Sequence, residues 1–297
     1  MKKFAVSILG LLFYSAAFGQ SDLQIMRDSE SQLERIAVEQ GPNKAFLQFL
    51  ADDAVIFCPH AVRGREFWKT NSAPVGFTIT RVSTFADISS TGMLGYTTGN
   101  WRMYPLSRKE DQAKFGEYVT IWEKKPDGRF LASLDIETRH DKLPFYQTDT
   151  AVSADDESDL NKRSLSPSDA SMDFFRLSMT KKALSGAYDK FAAKDIRFLR
   201  EGLPPIIGKK NVVKVTKEYV SLDFPQTTAL FQSGDMAYIW NKCSYDKTGE
   251  GNEEGNCLHI WKLRDDKWWI VLGVFAGVPN TTPPVLKTKP PKRKRAG

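Results

Sequence analysis

The sequence predicts an α+β fold used twice, each time as helices followed by an antiparallel meander. Three observations predict it. The second half repeats the first: Gly92-Met93-Leu94-Gly95-Tyr96 aligns with Gly234-Asp235-Met236-Ala237-Tyr238, and Gly116 to Trp122 aligns with Gly255 to Trp261. In each half, apolar residues at helical spacing come first and strand-like segments follow. Lastly, 297 residues with 41% hydrophobic content suffice for two cores of ordinary size.

The elements follow in order. Lys2 and Lys3, the apolar run from Phe4 to Phe13 and the small residues Ala16, Ala17 and Gly19 read as a secretory signal over 1–19. A periplasmic or secreted location is therefore expected. No transmembrane segment is expected, since no run reaches the roughly 20 apolar residues that a span needs. The first domain is expected over 22–147. Leu23, Met26, Leu33, Ile36 and Ala37 carry helical spacing, and Asn43 is placed to cap a second helix through Phe46, Leu47 and Leu50. Strands are expected at 55–57, 77–88, 93–104, 115–124 and 129–139, with a tight turn at Pro126-Asp127-Gly128.

Residues 148–171 are polar and acidic and read as a linker. The second domain is expected over 172–278: helical through Phe175, Leu184, Tyr188 and Phe191, then strands at 215–223, 236–245, 256–263 and 267–276. The Pro- and Lys-rich stretch 279–297 reads as a disordered basic tail.

Charge excludes one class of partner. The net charge is +6, but six basic residues lie in the last eleven positions and Lys2 and Lys3 lie in the signal. Without those eight, the body carries about −2, which does not make a nucleic-acid-binding surface. His60, His140 and His259 are scattered, with no HxxxH or Cys-x-x-Cys spacing, so no metal is expected. There is no phosphate-binding glycine loop and no Gly-x-Ser-x-Gly elbow, and no cofactor is expected.

Phe49-Leu50-Ala51-Asp52-Asp53-Ala54-Val55 leading to Arg63-Gly64-Arg65-Glu66 resembles the helix-to-strand signature of nuclear transport factor 2-like domains. Ile121-Trp122, Pro126 to Phe130 and Leu134-Asp135-Ile136 resemble their last hairpin, the SnoaL-like group most of all. The resemblance implies two cone-shaped domains, each with helices packed on a curved antiparallel sheet around a pocket. It also implies pairing through the outer sheet faces. Bulky residues at both parities of Tyr238 to Trp240 and Cys257 to Trp261 agree with two covered faces, so the two copies are expected to pack as an intrachain pseudo-dimer.

Candidate functional residues come from cysteine arithmetic and face counting. A hairpin turn near Glu250 sets Cys243 opposite Cys257, within disulfide reach, and export favours the bond over free thiols. Cys58 is left over, either as a thiol activated by His60 or as a packed side chain. Pairing strands about the 105–115 turn puts Arg102 near Glu117, with Asn100 on the same face. Carrying the register through the Pro126 turn adds Asp135 and Glu137 to that face. This is either a pocket wall, with Arg102 holding an anion and Asp135 as a base, or a cross-strand salt-bridge ladder. By the same register, Ser244 and Val274 are the second-copy equivalents of Arg102 and Asp135. The aromatics, Trp68 among them, are either pocket lining or core. Isomerases of the resembled superfamily pair an Asp base with a Tyr and an acid; no Tyr stands in the first-copy opening helices. With that constellation incomplete, the sequence favours a binding protein for a small apolar or amphipathic molecule or a protein partner. A lyase or isomerase working from the first-copy pocket, and a non-catalytic assembly module, are the alternatives.

Overall fold

A computed structural model describes residues 21–71, 76–106, 112–144, 151–152, 165–180, 183–222, 229–247 and 251–278. The expected signal, the basic tail, most of the expected linker and the hairpin tip at Glu250 lie outside them.

The first unit opens with α1 (Asp22–Gln40) and α2 (Pro42–Phe49), then β1 (Leu50–Phe57), β2 (Ala61–Arg63) and α3 (Gly64–Thr70). Four long strands follow: β3 (Phe77–Ile88), β4 (Leu94–Pro105), β5 (Lys114–Lys124) and β6 (Phe130–His140). A short strand, β7 (Ala151–Val152), pairs parallel with β3 inside the stretch expected to be linker. The sheet order is β2-β1-β6-β5-β4-β3-β7. It is antiparallel through its centre, but β1 joins β6 in parallel, because α2 feeds β1 directly in from the helix layer.

The second unit repeats the plan with α4 (Pro167–Ser178), α5 (Ala183–Phe191), β8 (Ala192–Arg200), β9 (Leu203–Ile207), α6 (Lys209–Val215), β10 (Tyr219–Ser221), β11 (Ala229–Ser233), β12 (Met236–Lys247), β13 (Gly251–Arg264) and β14 (Lys267–Gly277). Here β14 pairs β8 in parallel, as β6 pairs β1.

Local chemistry explains the boundaries. Ser21 caps α1 by accepting from the Gln24 amide, and Ser166 caps α4 by accepting from that of Asp169, so α4 begins five residues before the expected domain start. Asn43 does not cap α2. Gly41 holds that position with Pro42 behind it, and the Asn43 amide instead ties down α3 through the carbonyls of Trp68 and Asn71. The strand expected over 215–223 shrinks to Tyr219–Ser221, since Val215 ends a helix that begins after Gly208. Gly128 takes φ 85° in the β5–β6 turn, a conformation that favours glycine.

Each unit buries its own core between helices and sheet. In the first, Met26, Leu33, Phe49, Trp122 and Phe130 pack together. In the second, Phe174, Tyr188, Phe191, Trp261 and Trp268 do so. A third buried cluster joins the outer faces of the two sheets: Tyr96, Val119, Ile121 and Ile136 with Trp240, Leu258, Ile260 and Val274. Phe57 meets Trp240 edge to face at 5.2 Å. Polar ties border this cluster, including Asn256 Nδ2 to the Pro59 carbonyl at 2.7 Å and the Ser90 amide to Asp235 Oδ1 at 2.7 Å. Among the described residues no helix is long and apolar enough to cross a membrane.

Candidate functional site

The expected pocket wall divides between two faces of the first sheet. Asn100 stands opposite Glu117, and Arg102 stands two residues further along, opposite Phe115. Asp135 and Glu137 lie on the other face, opposite Thr120 and Tyr118. The cause is one extra residue. The β5–β6 register slips between Ile121 and Trp122, where Ser133 has no partner, and a one-residue slip sends every later side chain to the opposite face. The same slip occurs between Ile260 and Trp261. It makes Gly273, rather than Val274, the counterpart of Asp135 in the second unit.

The helix-side face of the first sheet carries a buried charge cluster. Glu30, Arg81 and Asp135 are 1%, 5% and 5% exposed. Arg81 Nη2 donates to Asp135 Oδ2 at 2.8 Å and to Thr120 Oγ1 at 2.6 Å. Thr120 in turn donates to the same Asp135 oxygen at 2.6 Å. The guanidinium lies over the Tyr118 ring at 3.6 Å. Thr97 donates to Glu30 Oε2 and accepts from Trp122 Nε1. Glu34, one turn on along α1, accepts from Tyr118 and from the Ser83 amide. Gly116 lets the Trp101 indole lie flat on the strand, because a Cβ there would come within 2.6 Å of that ring.

One guanidinium thus faces four carboxyl groups, Glu30, Glu34, Asp135 and Glu137. Burial, then the Glu30 carboxylate, pushes Glu34 up to about 8. Burial also raises Glu30, against the pull of Arg81. Glu137 is exposed yet surrounded by protein, and that desolvation together with Asp135 pushes it up to about 7. Both Glu34 and Glu137 titrate above the ordinary 4.5, so the fold holds protons that the unfolded chain releases. Their stabilisation is complete below about pH 4.5 and is lost as pH rises through about 7 and 8. The urea midpoint is expected to fall from about pH 5 to about pH 8.5, with a shallower slope in Glu34→Gln. A midpoint that rises over this range would contradict the assignment.

The remaining expected residues are placed as follows. Trp68, on α3, stacks on Phe46 at 4.8 Å beside the first core. His60 is exposed after the cis Cys58–Pro59 bond. The Cys58 thiol is exposed as well, and surrounding protein with Glu137 and Asp135 pushes it up to about 11, which leaves little thiolate. Cys243 and Cys257 form a disulfide with 6.0 Å between Cα atoms. They are diagonal rather than opposite, because Cys243 pairs with Gly255 and Cys257 with Asn241. A disulfide is compatible with an extracellular location.

The second unit has a different interior. His259 occupies the position of Thr120, accepts or donates with Tyr188 at 3.1 Å, and is ringed by Phe174 and Phe175. Burial drives it down to about 3, so it stays neutral. A Cβ at Gly273 would come within 3.0 Å of Phe198 and 3.3 Å of the Tyr188 hydroxyl, so this interior is filled by rings where the first holds ions. Among the described residues no acids, histidines or cysteines group to hold a metal ion.

Sequence reasoning missed Arg81, Glu30 and Glu34. A signal existed for Glu30: it lies four residues after Met26 and three before Leu33, on the apolar face of α1.

No protein-family model matches the sequence, and no curated protein matches it. Solved structures do: the chain is similar in fold to nuclear transport factor 2-like and ketosteroid isomerase-like proteins. A nuclear transport factor 2-like protein from Cytophaga hutchinsonii is 11% identical, covers 38% of this chain and 100% of its own, with TM-score 0.33. A ketosteroid isomerase-like protein from Erwinia carotovora atroseptica is 14% identical over 37% and 92%, with TM-score 0.32. A nuclear transport factor 2-like protein of unknown function from Shewanella oneidensis is 15% identical over 38% and 98%, with TM-score 0.31. Each spans about one helix-and-sheet unit of this chain.

Proposed function

We propose that this is an exported binding protein whose first domain holds a small amphipathic molecule on the helix-side face of its sheet. One observation carries this reading. Arg81 Nη1 and Nε and Glu30 Oε1 are buried with no hydrogen-bond partner among the described residues, and Arg81 Nε stands 3.8 Å from Glu30 Oε1. Buried donors and acceptors left unpaired cost about 1–3 kcal/mol each, so a polar group that reaches them is stabilised. Water reaches the same face at Glu137 and Arg139. Trp101 and Tyr118 supply apolar wall, so the ligand has a polar head and an apolar body. The second domain, packed with rings, supports the first as the other half of a sheet-to-sheet pseudo-dimer.

Native mass spectrometry of the protein purified from its source tests the binding. A small molecule should co-purify with the wild type and be depleted about tenfold in Glu137→Gln, the loss of roughly 1.4 kcal/mol. A bare wild-type mass would count against the reading.

Catalysis is the second reading, favoured by a water-accessible carboxyl near 7 at Glu137. Asp135 is occupied by Arg81 and Thr120, so Glu137 takes the role of base. Conversion of the co-purified molecule by wild type, but not by Glu137→Gln, would establish it.

A further inference from the structure

A separate cavity of about 100 Å³ lies where the outer faces of the two sheets diverge, lined by residues of both units. A site for one water needs ~10–15 Å³, so this one takes a molecule of roughly seven to ten heavy atoms at most. Asn100 and Glu117 come from the first sheet, and Arg197 comes from β8 of the second. Leu199, Pro205 and Ile207 form the apolar side, and Ile207 is 44% exposed, which marks the mouth at β9.

The charges in this cavity are arranged as opposites. The Arg197 guanidinium rests over the Phe85 ring at 4.2 Å and makes no hydrogen bond or ion pair among the described residues. Burial lowers its pKa, which means that its charge lacks full compensation. Glu117 Oε1 accepts from His140 Nε2 at 3.3 Å, which leaves Oε2 for another donor. Asn100 is buried beside it. A simple anion drawn to Arg197 would be repelled by Glu117, and a simple cation drawn to Glu117 would be repelled by Arg197. A molecule carrying both charges a few ångströms apart satisfies both.

We propose that this inter-domain cavity binds a small zwitterion, an α-amino acid with a short apolar side chain. Its carboxylate pairs with Arg197, its ammonium is received by Glu117 and Asn100, and its side chain lies against Leu199, Pro205 and Ile207. The guanidinium fork suits a carboxylate. The site requires both units, because the carboxylate and the guanidinium that line it come from different sheets.

Isothermal titration calorimetry on the full chain tests this with glycine, alanine and valine, and with acetate and methylammonium as half-ligands. Alanine should bind at least about tenfold more tightly than either half-ligand, and Arg197→Gln and Glu117→Gln should each weaken it about tenfold or more. Ile207→Trp, which fills the mouth without touching a charge, should block binding even if a charge variant misfolds. The proposal is overturned if no zwitterion binds up to ~10 mM, if acetate binds as tightly as alanine, or if the folded variants keep wild-type affinity.

Discussion

Arg81→Met is expected to destabilise the protein by about 3–5 kcal/mol, because it leaves buried carboxylates without their cation. The guanidinium holds Asp135 at 2.8 Å and Glu30 at 3.8 Å, all three nearly excluded from water. Met fills much the same volume, so the loss isolates charge from packing. Two features distinguish this from ordinary core damage. The deficit should shrink as pH falls, since protonated carboxyls no longer need a counter-charge. Adding Glu30→Gln and Asp135→Asn to the variant should recover much of the loss, because replacing a whole buried ion cluster is often neutral. Urea unfolding across pH measures all of this. A loss under about 1 kcal/mol, or one that ignores pH, would show that Arg81 is not the keystone of the cluster.

Lys262→Met should cost a similar ~3–5 kcal/mol, but its effect falls between the units. Lys262 lies on β13 of the second unit, and its ammonium reaches across to Asp87 at 3.2 Å and the Ile88 carbonyl at 2.7 Å in the first. It also neutralises Asp235 of its own unit at 3.4 Å, while Asp235 accepts from the Ser90 amide across the junction. Without the ammonium, two buried carboxylates face each other across the sheet-to-sheet junction. Scanning calorimetry should therefore show the wild-type transition lowered and split in two as the units lose cooperativity. A single transition at the wild-type temperature would mean that the apolar cluster alone holds the units together.

Much of the architecture was legible because it rests on local pattern. Helical spacing at Met26, Leu33 and Ile36, and the Gly-and-Trp blocks repeated in β12 and β13, carry their pattern in the chain itself. The Cys243–Cys257 bond was legible for the same reason, since a hairpin two residues out of register still leaves a diagonal pair within reach. The charged site was not legible. Ser133, one unpaired residue, reverses which face Asp135 and Glu137 occupy, and nothing in composition marks a bulge. Arg81, Glu30, Thr120 and Asp135 come from β3, α1, β5 and β6, and no short-range spacing links them.

The sequence by itself determined a duplicated α+β chain, its helix-then-sheet order and its hairpin disulfide, because these follow from backbone periodicity and contacts between near neighbours. Only the tertiary structure decided which unit carries ions and which carries rings. That choice depends on what lies across from each strand position: an aspartate beside an arginine in the first unit, a glycine beneath Tyr188 and His259 in the second. Burial gives such pairings their energy, and burial is a property of the assembled fold.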